Sequence, residues 1–236
     1  MAGARWALWV LVAICFAARS DAAPTGGDAA VFPFVTGTTW TYAGTVKWTD
    51  DRNQQRSGDV RWNSEVVDAF DAGDVAAALL HGAVWDLAWW SPDAHAATYA
   101  LLRVGTRYYL VRRDAKMTFA AVKASGRKAL PADLEQALWF EAPLRVGQVY
   151  RPRDDPPRDD MRDGWWIESV APVKLDLAGM TRATRPSYVL SYATLPDEER
   201  ITLVPGVGIT SFAYLHHGTT AEADVHLVSY HRGDVK

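Results

Sequence analysis

ITLVPGVGITSFAYLHHGTTAEADVHLVSYH, residues Ile201 to His231, decides the fold class. Two runs within it, Val207 to His217 and Ala221 to Tyr230, are rich in β-branched and aromatic residues, the composition that suits a pleated, half-buried surface. Between them Gly218-Thr219 has the Gly-first chemistry of a two-residue II′ turn, so the stretch reads as a β-hairpin. With His217 facing Thr220, Phe212 lies opposite Val225, Tyr214 opposite Ala223 and Thr210 opposite Leu227. That mostly apolar face is the expected core face, and Ser211, His217, Glu222, Asp224 and His226 occupy the other. Pro205-Gly206-Val207-Gly208 punctuates the start of the hairpin, because Pro cannot donate to a ladder and glycine permits a bend or bulge.

The upstream chain is written in the same idiom. From Thr38 to Thr49, Trp40, Tyr42, Val46 and Trp48 alternate with Thr39, Thr41, Thr45 and Lys47, the period of a half-buried strand. After the polar loop Asp50 to Ser57, Val60, Trp62, Val66 and Phe70 share a face opposite Asp59, Arg61, Asn63 and Glu65, and the two runs are expected to pair antiparallel. Val75 to Leu80 is apolar on both faces, which predicts a central strand covered on each side. Thr98 to Val104 and Arg107 to Arg112 form a hairpin around Gly105, and Trp165 to Leu177, Ser187 to Leu195 and Arg200 to Val204 supply the remaining strands. One helix is predicted, over 131–138, where Pro131 sits as a first-turn proline ahead of good helix formers.

The expectation is a mainly β chain: a single antiparallel β domain over 23–236, forming a strongly curved sheet or open barrel, with one short helix near 131–138. Pro33 to Trp40 and Pro143 to Tyr150 share the spacing Pro-x-x-x-Gly-x-x-aromatic, the mark of a weak two-lobe pseudo-repeat over 32–128 and 139–236.

The first 22 residues have the layout of a secretory signal: Arg5, a 13-residue apolar run from Trp6 to Ala18, and small residues at Ser20 and Ala22. A bilayer span needs about 20 apolar residues, so no transmembrane anchor is expected after cleavage, and the location is secreted or periplasmic. Cys15 is preceded by Ile14, not by the small residue of a lipoprotein signal. Cleavage after Ala22 leaves 214 residues without cysteine, so a hydrophobic core and no disulfide must hold the domain. Two arginines and one aspartate leave with the signal, taking the formal charge from −3 to −4. That mild acidity offers nothing to attract nucleic acid. Nine of the eleven tryptophans remain in the mature chain, and they are the compositional oddity to explain.

Gly37-x-x-Trp40-x-Tyr42, Gly147 ahead of a second strand set, and Pro205-Gly206-Val207-Gly208 followed by Tyr214 and a closing Leu227-Val228-Ser229-Tyr230 occur in this order. In that order they resemble a group of exported bacterial β-rich proteins of unknown function. The resemblance covers most of the mature chain. It implies an exported β domain and carries no activity, cofactor or catalytic residue.

Chemistry-bearing motifs are scarce. His216 and His217 point to opposite faces of their strand, and His226 lies opposite Ser211, roughly 20 Å from His217. His81 and His95 are isolated, so no metal site is expected. Asp154-Asp155 and Asp159 to Gly164 lack the ligand order of a calcium loop and are balanced by arginines, as in a solvated loop. Ser125-Gly126-Arg127-Lys128 matches Ser-x-x-Lys without its partner motifs. No catalytic residue and no cofactor is expected.

The tryptophans remain. Trp40, Trp48 and Trp62 belong to alternating strands and are expected in the core. Trp85, Trp89-Trp90 and Trp165-Trp166 are the candidate ligand-binding residues, because adjacent strand residues point to opposite faces and one of each pair must face a surface or a cavity. Two functions stay open. The chain is either an exported, non-catalytic domain binding an apolar or sugar-like ligand in an aromatic-lined concavity, or a structural component of the cell envelope whose partner is another envelope protein.

Overall fold

The computed structural model describes residues 30–151, 161–177 and 182–234 of the chain. The expected signal, residues 1–22, and the aspartates at 154, 155, 159 and 160 lie outside the described residues.

The polypeptide makes two successive six-stranded meanders. The first comprises β1 (Thr39–Thr49), β2 (Gln55–Asp71), β3 (Val75–His81), β4 (Thr98–Val104), β5 (Arg107–Val111) and β6 (Leu138–Glu141). The second comprises β7 (Val149–Tyr150), β8 (Trp165–Leu175), β9 (Ala183–Ala193), β10 (Asp197–Val204), β11 (Gly208–His216) and β12 (Glu222–His231). Antiparallel pairing of β1 with β12 joins them into one 12-stranded sheet with β6 and β7 at its edges. The sheet curls into a nearly closed barrel. No ladder among the described residues joins β6 to β7, and Tyr150 bridges that seam by donating its hydroxyl to the Glu141 carbonyl at 2.9 Å.

At the joint between the meanders the backbones approach closely, which explains the glycine there. A Cβ on Gly44 would stand 2.0 Å from the Asp224 carbonyl oxygen and 2.7 Å from the Val225 Cα, so only hydrogen fits. Two other glycines close similar turns at the start of each meander. Gly37 N–H donates to the Val66 carbonyl at 2.8 Å and Gly147 N–H to that of Ile167 at 2.9 Å, and each acceptor residue borders a β-bulge.

The terminal hairpin keeps its expected register, with Phe212 opposite Val225 and Tyr214 opposite Ala223. Its connection is wider than the two-residue turn at Gly218-Thr219 that the sequence suggests. His216 N–H bonds to the Ala221 carbonyl, while His217 N–H is drawn to the Pro196 carbonyl of the neighbouring β9–β10 connection at 2.6 Å. A tertiary hydrogen bond thus holds the loop open without shifting the ladder.

Alternation in β2 fails at one residue. A bulge between Val66 and Asp68 inserts Val67, and beyond it the faces exchange. Val60 and Val66 face the barrel interior, but Phe70 emerges on the outside and packs edge-on to Phe119 at 6.2 Å. Phe119 belongs to α1 (Ala115–Ser125), which covers the outer side of β3 and β4. The short helix is therefore upstream of its predicted position, and residues 134–137 form only a 3-10 turn. Ala115, Phe119 and Val122 give 115–125 a buried stripe at helical spacing, whereas Pro131 opens a turn too short to propagate. β3 is covered on both sides, as its apolar run predicts: Ala76, Ala78 and Leu80 face the interior, and Ala77 and Leu79 lie beneath α1.

Aromatic rings fill the interior. Phe32, from the segment preceding β1, lies 5.9 Å from Trp40 and 5.7 Å from Trp139, and Tyr108 stacks on Phe140 at 4.5 Å. Trp40 Nε1 donates to the Val207 carbonyl at 2.7 Å and the Tyr42 hydroxyl to that of Ile209 at 3.0 Å. The aromatics of the first strand therefore satisfy backbone carbonyls in the Pro-Gly-Val-Gly turn and at the start of β11, at the other end of the chain. Among the described residues no helix is long and apolar enough to cross a membrane.

Candidate functional site

One rung across the second meander places the site. Ile167, Leu190, Ile201, Phe212 and Val225 face one another across β8 to β12, and all are buried. Two residues further along each of β8 to β11 stands a rung of different character: Trp165, Tyr192, Glu199 and Tyr214. Inward side chains recur every second residue, so this rung also points inside. Beyond it, Asp197 pairs with His216. The apolar core thus gives way to a polar, aromatic end within two rungs.

That end is a cavity of about 600 Å³, a size common for small-molecule sites. Trp165, Tyr192, Thr194, Asp197, Glu199 and Tyr214 form one wall. Opposite them the first meander contributes Trp85, Asp86 and Trp89 from the segment after β3, Arg112 after β5, and Trp139 of β6, with Tyr150 of β7 beside the seam. Trp85 and Trp139 meet edge to face at 5.1 Å, and Trp165 packs on Tyr192 at 5.3 Å. Trp89 is 58% exposed at the rim, where its ring lies 4.5 Å from His216.

Three of the five candidate tryptophans, Trp85, Trp89 and Trp165, therefore share one cavity. The other two do not line it. Trp90 turns away and packs edge-on to Trp62 at 6.0 Å. Trp166 is on the opposite sheet face from Trp165, in a shallow groove with Ser191, Arg200 and Ala213. Trp165-Trp166 split as side-chain alternation on β8 demands, whereas Trp89-Trp90 lie outside any strand, in the connection after the 3-10 turn Val84–Leu87, so it is the path of that connection that separates them. Of the three core tryptophans, Trp40 is buried, while Trp48 and Trp62 are half-buried against the core.

Four carboxylates and one guanidinium line the same space, and their environments differ. Asp86 accepts from the Ala97 N–H at 2.9 Å and the Tyr99 hydroxyl at 2.5 Å, yet burial outweighs both and pushes its carboxyl up. Burial also pushes Asp197 up, but hydrogen bonds from Tyr214 at 2.5 Å and His216 Nδ1 at 2.8 Å outweigh it and hold this carboxyl below the usual range. Burial raises Glu199, and the positive charge of Arg112 offsets only part of that. Glu199 Oε2 has no hydrogen-bond partner, and Trp85 Nε1, which faces this carboxylate, does not reach it in bonding geometry. Trp139 Nε1 is likewise unpartnered. By contrast Trp62 donates to the Gly82 carbonyl at 2.8 Å and Trp40 to Val207. Among the described residues, the buried indoles without partners are those at the cavity.

Asp86, Arg112, Trp139, Tyr192, Asp197, Glu199 and Tyr214 are absent from the candidates drawn from sequence, as is Asp163, assigned there to a solvated loop but placed by the fold in the cavity wall. One signal was available. Asp197, Glu199, Ile201 and Leu203 have period-two spacing, so a strand begun at Asp197 and not at Arg200 carries two carboxylates on its core face. Ser125 ends α1, away from this cavity. No group of three or more metal-ligating side chains occurs among the described residues.

No protein-family profile matches the chain, and no curated protein sequence does. Two solved structures are similar to it. One is a candidate exported protein of Bacteroides fragilis with a YmcC-like fold, 10% identical over 86% of this chain and 100% of that one, at a TM-score of 0.43. The other is a candidate lipoprotein of Parabacteroides distasonis, 10% identical over 86% and 99% of the two chains, at a TM-score of 0.38. At those scores neither likeness bears on what the cavity holds.

Proposed function

We propose that this chain is an exported, non-catalytic binding protein whose barrel-end cavity takes a polyhydroxylated, sugar-like ligand. The observation that carries this reading is the set of buried polar atoms left without partners at the cavity: Trp85 Nε1, Trp139 Nε1 and Glu199 Oε2. Buried polar groups are almost always hydrogen-bonded, and each one left unpaired costs about 1–3 kcal/mol. An apolar ligand would seal these atoms away unpaired. A sugar hydroxyl both donates and accepts, and so answers an indole N–H and a carboxylate oxygen together. The faces of Trp89 and Trp165 offer the apolar contact that the C–H side of a pyranose needs.

The test is tryptophan fluorescence with the exported chain against neutral, cationic and acidic oligosaccharides, with a fatty acid as the apolar probe. At least one oligosaccharide class should shift the emission, and Trp165→Ser should abolish the shift. Saturable binding of the fatty acid with no response to any sugar would overturn the sugar-like reading.

A further inference from the structure

We infer that the ligand of this cavity is an amino sugar, bound as its protonated ammonium form with the positive charge directed at Glu199. This rests on the sugar-like reading above and narrows it. Asp86, Asp163, Asp197 and Glu199 against Arg112 give the lining a formal charge of −3. A cleft walled by one sign of charge and by low-dielectric rings focuses that field on whatever enters.

The four carboxylates are not equivalent. Asp86 and Asp197 are engaged by protein donors, and Asp163 also has a protein partner. Glu199 is half-buried, and its Oε2, fully enclosed, has no partner; the residue stands between Tyr192 and Tyr214 on the neighbouring strands. Arg112 does not neutralise it by contact: no ion pair within 4.0 Å joins the two, and the Arg112 guanidinium lies 6.0 Å from the centre of the Tyr99 ring. A buried carboxylate without a cation is costly, and a ligand that brings the cation removes that cost.

Ring faces strengthen the same preference. Tyr192 and Tyr214 flank Glu199 on the neighbouring strands, Trp85 and Trp165 line the same cavity, and the negative face of an aromatic ring attracts ammonium and repels carboxylate. A uronic acid would meet three surplus negative charges. A neutral hexose would bring no positive charge to Glu199. An amino sugar satisfies the indole donors through its hydroxyls and the carboxylate through its ammonium group.

Isothermal titration of the exported chain with a glucosamine tetramer, its fully N-acetylated counterpart and spermidine decides the matter. The glucosamine tetramer should bind at least tenfold more tightly than the acetylated one, and raising salt should weaken it. Glu199→Gln, which keeps the side chain's shape, should remove that tenfold preference in a protein that stays folded, with a melting temperature no lower than the native one. If the acetylated tetramer binds as tightly, the ammonium inference fails and the sugar-like reading stands. If spermidine matches the glucosamine tetramer, the sugar ring contributes nothing and both fail. If neither tetramer binds, the inference fails, and the wider panel above judges the sugar-like reading alone.

Discussion

Asp197 and Glu199 stand two residues apart on the inward face of β10, and the protein drives them in opposite directions. Asp197 is held ionised by the Tyr214 hydroxyl and His216. Glu199, between Tyr192 and Tyr214, is pushed toward its neutral form by burial, with the charge of Asp197 adding to the effect and that of Arg112 opposing it. The divergence comes from their surroundings: hydrogen-bond donors face Asp197, whereas burial dominates at Glu199.

The stability of the protein therefore depends on pH through Glu199 with a definite sign. Unfolded, this side chain loses its proton near pH 4.5, while the folded protein holds it to higher pH. Between those points the folded state binds more protons, so this contribution falls as pH rises and the full penalty remains above the folded value. Glu199→Gln should match the native protein below about pH 4 and exceed it at neutral pH. A gain of roughly 2–4 °C is expected, the shift that about 1 kcal/mol makes in a domain of this length. Asp197→Asn should do the reverse, losing stability that is present at neutral pH and vanishes in acid. Melting temperatures of the three proteins from pH 3 to 8 check both signs, and a pH-independent offset for Glu199→Gln would contradict them.

The tryptophan pairs separate binding from packing. Trp89→Ser and Trp165→Ser remove rings that line the cavity, and both should weaken ligand binding tenfold or more. Trp89 is 58% exposed, so its loss should cost less than about 1 kcal/mol. Trp165, packed on Tyr192, should cost about 1–3 kcal/mol. Trp90→Ser and Trp166→Ser should leave affinity unchanged, because neither ring reaches the cavity. Equal loss of affinity at all four positions would contradict the split.

Phe212 tests the terminal hairpin. Its ring is fully buried, opposite Val225 and Ile201, so Phe212→Ala should cost about 3–5 kcal/mol in denaturant unfolding. His217 on the other face is exposed and paired only with Glu198 at 3.0 Å, and His217→Ala should stay within about 0.5 kcal/mol. A silent Phe212→Ala would place the hairpin outside the core.

Local pattern and register account for what the sequence determined by itself. Alternation in Trp40 to Trp48, the two-sided apolar run of β3, and the Phe212–Val225 register all follow from a side-chain period of two and need no knowledge of the rest of the chain. The same period determined that Trp165-Trp166 must divide between two environments, while Trp89-Trp90, expected to divide for that reason, lie in a connection where no strand period applies.

Tertiary structure decided the rest, wherever a distant group outweighed a local signal. The Pro196 carbonyl widened the hairpin loop, the bulge at Val67 sent Phe70 outward, and α1 settled at 115–125 because its buried stripe met the outer face of β3 and β4. The cavity is the clearest case. Trp85, Trp139 and Glu199 are separated by at least 54 residues, and they meet only because joining β1 to β12 curls both meanders around one interior. No local period encodes that closure. It comes from the twist of twelve paired strands burying their apolar faces together, which leaves the polar end as a cavity.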